Sequence, residues 1–172
     1  MKNSTITKQV NQLLAEHNIT KPPVPVAKLA RDLGARIRVG PLPDELSGFL
    51  LREENTVTIG VNSLHPKSRQ LFTLAHELGH LRLHPAANFV DRSFFYFRDA
   101  RSADATDSRE MEANQFAADL LMPEPFILAA VGKHSVDLED EDQISALATR
   151  FGVSGQALVY RLMNLNLTRK SQ

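Results

Sequence analysis

Apolar residues recur at helical spacing near the start of the chain, at Val10, Leu13 and Leu14 with His17 one turn on, and predict an opening helix. The segment ITKPPVPV that follows is read as extended, because each proline disfavours helix in the residue before it. Helical spacing resumes over residues 26–33 (VAKLARDL), and Gly34 is the expected stop. Three short strands are predicted next, over residues 36–39, 48–51 and 56–61. The last of them, TVTIGV, alternates apolar and polar positions about a glycine, and REEN at residues 52–55 supplies a hairpin turn before it.

A long helix is expected from about residue 67 to 84, with Pro85 just past its end. Residues 88–108 break the periodicity: an aromatic patch, FVDRSFFYF, leads into RDARSADATDS, which has little to bury and is read as a mobile loop. A second strong helix covers about residues 108–122 and closes at PEP. Residues 126–131 form a short helix, DLEDED an acidic surface connection, and two more helices end the chain. Helices set apart from a sheet of about three strands make the fold class α+β and mainly helical. In the last stretch, Leu147 and Ala148, then Phe151-Gly152-Val153-Ser154, then Leu158 and Leu162, look like a helix-turn-helix, with Gly152 in the turn and Ser154 as N-cap. The expected division is a domain over residues 1–135 and a helical tail over 136–172 packed on it.

Composition narrows the classes. Hydrophobic residues make up 42% of the 172, enough for a core, and charged residues 23%. Lys+Arg and Asp+Glu both total 20, which argues against a broad electrostatic attraction to nucleic acid or anionic membrane. The absence of cysteine excludes disulfides, Cys-zinc sites and thiol catalysis, and fits a reducing compartment. The N-terminus lacks the apolar core of a signal peptide, and the longest apolar run, residues 126–131, is far short of a membrane span. A cytoplasmic protein is expected.

Within the long helix stands His76-Glu77-Leu78-Gly79-His80. Helical geometry puts the two histidines on one face, about 6 Å apart along the axis, a spacing at which both rings reach one Zn²⁺. Glu77 leans toward the same mouth, placed to take a proton from a water. Gly79 leaves room for another segment to come close to the helix. The competing reading is two ordinary helix histidines, so a third ligand decides. His84 lies on the same face, but about 12 Å of rise from His76 is too far for one ion. A metzincin would need Gly and His where Leu83 and Ala86 stand.

The remaining candidate is a carboxylate on the second helix. Ala113, Phe116, Ala117, Leu120 and Leu121 form its inward stripe, and Glu110 extends that stripe one turn toward the N-terminus. A carboxylate on a buried face needs a compensating partner, which a metal ion supplies. Small Ala113 and Ala117 would let the two helices press together, and Asn114 would hold a histidine ring. Glu112 is read as a first-turn acid interacting with the helix dipole.

HELGH followed by EMEANQFAADLLMP resembles the ImmA/IrrE family of zinc metallopeptidases, and RQLFTLA at residues 69–75 is similar to the run that precedes the family's HExxH. The resemblance covers most of the chain. It implies a gluzincin-like fold in which the HExxH helix faces a Glu-bearing helix, with His76, His80 and Glu110 as zinc ligands and Glu77 as general base. It also implies a protein substrate, a helix-turn-helix transcriptional repressor that is cleaved or otherwise disabled. Larger members carry a GAF-like sensor domain after the helical tail. These 172 residues leave no room for one, so signal sensing is expected from elsewhere. No motif identifies an oxyanion stabiliser; Tyr160, Tyr96 and His134 are the candidates.

Three functions follow. The first is a zinc endopeptidase, with manganese or iron as alternative metals, to which the strand at residues 56–61 would offer an edge for an extended peptide. The second is a metallopeptidase-like module that sequesters a repressor without cutting it. The third is a DNA-binding regulator acting through the tail, whose groove-facing residues would be Gln156, Tyr160, Arg161 and Asn164. With so few cations there, the tail is expected to pack against the core or the partner.

Overall fold

Eight consecutive residues, Thr73 to His80, are all buried. A helix closed off on every side has no polar face and no strong amphipathic signature, and this helix is the axis of the molecule. A computed structural model describes residues 3–85, 88–92, 107–132 and 136–168. In chain order the elements are α1 (Asn3–Glu16), α2 (Val26–Asp32), β1 (Ala35–Gly40), β2 (Leu46–Glu53), β3 (Thr56–Asn62), α3 (Lys67–Leu83), β4 (Phe89–Arg92), α4 (Asp107–Leu121), α5 (Glu124–Val131), α6 (Glu141–Phe151) and α7 (Gly155–Asn164). Helix α3 lies between the sheet, through β2 and β3, and α4, which packs on its other side against α1. The arrangement is the mainly helical α+β class expected from the pattern.

The described sheet has four strands in the order β1-β3-β2-β4. Strand β1 runs parallel to β3, with Ile37 opposite Ile59, while β2 is antiparallel to both β3 and β4. Two results differ from the strand pattern. The edges are β1 and β4, so the strand at Thr56–Asn62 is hydrogen-bonded on both sides and offers no edge to a peptide. Strand β4 comes from the start of the segment expected to be irregular. Its approach is fixed by Asn88, whose Oδ1 accepts the Arg52 backbone N–H at 2.7 Å. The rest of that segment, including the expected loop, lies outside the described residues.

Asn62 fixes the chain's crossing from β1 to β2. Fully buried at the end of β3, its side chain accepts the N–H groups of Leu42 and Leu64. It also donates to the carbonyls of Leu42, Pro43 and Leu46, the last at 2.8 Å. A loop whose buried polar groups are satisfied by one side chain is held without secondary structure of its own.

The opening helix buries Ile6, Val10, Leu13 and Leu14, and His17, just beyond it, pairs with Asp32 at 3.2 Å. At the other end, Asp140 caps α6 and Ser154 caps α7, while Gly152 takes the left-handed φ of 72° that closes α6. Leu158 and Leu162 enter the core, and so does Arg161, 7% exposed. Its Nε donates to the Met122 carbonyl at 3.0 Å and its Nη1 pairs with Asp119 Oδ1 at 2.7 Å. Asp119 also accepts from Thr7 Oγ1 at 2.7 Å and Gln115 Nε2 at 2.9 Å. Arg161 is therefore not on the solvent face of α7; it is an inward strut joining α1, α4 and α7. Of the residues expected to face a groove, Gln156, Tyr160 and Asn164 are exposed, and none is a cation. No helix among the described residues is long and apolar enough to cross a membrane.

Removing one partner of a buried ion pair strands the other charge, at a cost of about 3–5 kcal/mol. Arg161→Leu is expected to destabilise the chain by that order, read as a lowered urea midpoint. An unchanged midpoint would show that Asp119 is satisfied without the guanidinium.

Candidate metal centre

Two helices supply the site because their backbones almost touch. A Cβ built on Gly79 would lie 3.2 Å from both Cα and O of Ala113 and 3.2 Å from Phe116 Cβ. Glycine on α3 facing alanine on α4 removes the side chains that would hold the helices apart. Glu110, one turn before Ala113, and Asn114, the residue just after it, then overhang the histidine face of α3.

His76, His80 and Glu110 each bring one ligand atom to a common point, all within 4.8 Å of one another. His76 Nε2 and His80 Nε2 are 2.9 Å apart. Glu110 Oε2 is 3.1 Å from the first and 3.4 Å from the second. Ligand atoms at 2.0–2.1 Å from a tetrahedral ion lie about 3.3–3.4 Å from each other, so the Glu110 separations are close to those one ion needs, and the two Nε2 atoms would part by about 0.4 Å to hold it. The donor set fits as well. Asn114 Oδ1, 2.9 Å from His76 Nδ1, accepts the proton there and leaves the Nε2 lone pair facing the cluster. A carboxylate and imidazole lone pairs converging in a buried site require a cation between them, a metal ion or, without one, a shared proton.

The titration behaviour follows from this crowding. Burial acts to raise the Glu110 carboxyl, but hydrogen bonds with His76 and His80 outweigh it and hold the group down at about 2. His80 is pushed below the ordinary histidine value, chiefly by burial and against the pull of Glu110. Burial, reinforced by the charges of His80 and Arg109, takes His84 down to about 4.

Glu77 is fully buried beside the histidines. Its Oε1 lies against β2 at Gly48, where an added Cβ would sit 3.5 Å from that oxygen, 2.5 Å from Thr73 Cγ2 and 2.6 Å from the Gly60 carbonyl. Gly48 was not singled out by the pattern, although a glycine inside a strand signals a close approach of another element. The structure also changes the reading of Glu112. It is not simply a dipole acid: its Oε2 is 3.0 Å from His84 Nε2, and His84 Nδ1 is in turn 3.1 Å from His80 Nδ1. His84 stays out of the ligand cluster, as its distance along the helix required. Tyr160 is 37% exposed on α7. Tyr96 and His134 lie outside the described residues.

The model of the peptidase M78 family, described as the IrrE N-terminal-like domain, matches residues 30–163. The chain belongs to this family. A relative of this IrrE-like chain, described as "Uncharacterized immunity region protein 2" of Bacillus phage phi105, is 30% identical over 115 residues. The match takes in 67% of this chain and 66% of the phage protein. Among solved structures, a Mycobacterium tuberculosis transcriptional regulator shares the fold at a TM-score of 0.64 and 20% identity. That likeness covers 92% of the IrrE-like chain and 46% of the regulator, so the chain spans about half the regulator's length.

Three outcomes are expected of the IrrE-like centre. Gly79→Ala pushes a methyl against the backbone of α4, which cannot turn aside as a side chain can. Overpacking of about 1–3 kcal/mol is expected to outweigh the roughly 1 kcal/mol that Ala gains over Gly in a helix, giving a net loss in thermal or urea unfolding; a net gain would mean that α4 gives way by the few tenths of an ångström needed. Affinity for a divalent metal ion is expected to fall in acid because protons compete for the lone pairs, and burial, which holds His80 below the ordinary histidine value of 6.5, delays that loss to lower pH. Glu110, held at about 2, stays ionised through that range and does not set the midpoint. The metal-free fold has the same sign. Between 6.5 and about 4 the unfolded chain binds protons that folded His84 does not, so stability falls with acid. Metal titrations and denaturant melts across pH check both.

Proposed function

We propose that the chain is a zinc-dependent endopeptidase that cleaves a protein partner, a helix-turn-helix transcriptional repressor, in the cytoplasm and so relieves repression. The observation that carries the reading is the convergence of His76, His80 and Glu110 with a buried carboxylate, Glu77, next to His76 on α3. Membership of a peptidase family supports a hydrolytic use of that arrangement. The substrate class rests on the family resemblance, and kinship with a phage immunity region protein points the same way. Burial of Arg161 takes a cation from the face that a DNA-binding tail would need, and so favours a protein partner over a duplex.

In this reading His76, His80 and Glu110 hold the metal, and Asn114 keeps the His76 ring in register. A zinc ion held there supplies Lewis acidity toward the scissile carbonyl and the attacking water. Glu77 takes the proton as the water's oxygen bonds to the carbonyl carbon, then passes it to the departing amide nitrogen as the C–N bond breaks.

The test is metal analysis together with incubation of the purified chain and a candidate repressor. Glu77→Gln is expected to keep its metal while cleavage falls by about 10²–10⁴-fold, the range of general-base catalysis. Glu110→Ala is expected to lose the metal. Cleavage by Glu77→Gln at the wild-type rate would remove Glu77 from the mechanism. Tight binding of the repressor with no cleavage in a single turnover would make the chain a sequestering module.

A further inference from the structure

The histidine that geometry rejects as a ligand stands in line behind one that it accepts. His84 follows His80 by one helical turn, and the two rings meet through their Nδ1 atoms at 3.1 Å. On its far side His84 Nε2 meets Glu112 Oε2 at 3.0 Å. The side chains are nearly shut off from water, at 1% exposure for His80, 8% for His84 and 15% for Glu112. Both α3 and α4 contribute, so the line depends on the same close helix packing as the ligands.

Hydrogen-bond parity gives the line a direction. An ionised carboxylate only accepts, so His84 Nε2 carries the proton it offers to Glu112. A neutral imidazole has one N–H, which leaves His84 Nδ1 an acceptor. His80 Nδ1 must then be the donor across the 3.1 Å contact, and the free lone pair of His80 falls on Nε2, the atom that faces His76 and Glu110. Asn114 does the same for His76 in a single step. We infer that His84 and Glu112 are positioning residues that lock His80 in its ligating tautomer and ring orientation. Each candidate ligand histidine thus has its own acceptor behind Nδ1, one an amide and the other an imidazole–carboxylate relay. A relay ending in a carboxylate also makes His80 Nε2 more basic toward a cation. The inference rests on the proposed ligand role of His80.

The measurement is the affinity of the stripped chain for zinc and for Co(II), by competition with a chromophoric chelator at neutral pH. His84→Leu keeps bulk and removes the acceptor; Glu112→Leu removes the end of the relay. Each is expected to weaken metal binding by about 10–100-fold, the usual effect of losing such support. His84→Asn puts an amide oxygen where Nδ1 stood and is expected to return affinity to within a few-fold of wild type. In the metal-free protein, ¹⁵N–¹H spectra of the histidine rings are expected to show the proton of His80 on Nδ1, and a mixture of tautomers in Glu112→Leu. Wild-type affinity in both leucine variants overturns the relay. So does His84→Asn as weak as His84→Leu, since a purely structural histidine gains nothing from a matched acceptor. If His84→Leu does not fold, the Glu112→Leu affinity and ring spectrum decide alone. A wild-type chain that binds neither metal is a different result: it removes the ligand set itself, and the relay with it.

Discussion

Everything chemical in this chain depends on how near α4 can come to α3. The contact is set where Gly79 faces the backbone of Ala113, so near that a β-carbon there would lie 3.2 Å from it, inside ordinary van der Waals distance. A helix pair separated by ordinary side chains has its axes about 8–10 Å apart, and the nearer end of that range requires small residues at the crossing. Because Glu110 and Asn114 flank Ala113, that nearness brings a carboxylate to the Nε2 atoms and an amide to Nδ1 of His76. A wider crossing would leave a pair of histidines on one helix and a lone acid on another. The sheet completes the enclosure from the opposite side, where Gly48 lets β2 approach α3 at Thr73, with Glu77 one turn on, as Gly79 lets α4 approach it at Ala113. Two glycines therefore do the same job on two faces of one helix.

The local parts of this design were legible in the sequence. The histidine spacing, the apolar stripe that Glu110 extends and the small residues at the crossing are all short-range features with a fixed geometric meaning on a helix. So was the exclusion of His84 as a ligand, which needs only the rise per residue. What escaped was partnership across long distances in the chain. Nothing near Glu112 announces that its acceptor role is toward His84, 28 residues earlier, so a dipole role was the natural reading. The strand at Thr56–Asn62 was recognised, but its central place depends on β1 crossing to its far side, a matter of topology and not of pattern. Strand β4 is short and borrows its register from β2, so its own residues carry little signal.

Arg161 is an instructive middle case. Charge alone suggests solvent, and a helix-turn-helix reading suggests DNA. Yet Arg161 follows Ala157 by four and Leu158 by three, both buried, the spacing of a single inward stripe. Position on the stripe prevailed over residue type because Asp119 sits opposite, on the inward face of α4. The same reasoning from an inward stripe that selected Glu110 applies to Asp119. Asp119 is buried and answered by a guanidinium, whereas Glu110 is half-buried and faces two histidines. The distinguishing feature is what lies across the crossing, which again is long-range.

That distinction bears on why such a cluster survives in the middle of a fold. The Asp119–Arg161 network is complete within the chain, with donors from Thr7, Gln115 and Arg161 on one carboxylate. The cluster of His76, His80 and Glu110 is acceptor-rich, and the supports behind its rings, Asn114 and the His84–Glu112 line, act to keep protons on Nδ1 and off Nε2. Interactions that hold lone pairs aimed at one another cost folding free energy until a cation arrives, and that cost is the differential affinity by which the cation then stabilises the fold. For a cation held there, preorganisation for the ion and the folding cost of the empty cluster would be one physical property, written by the same hydrogen bonds.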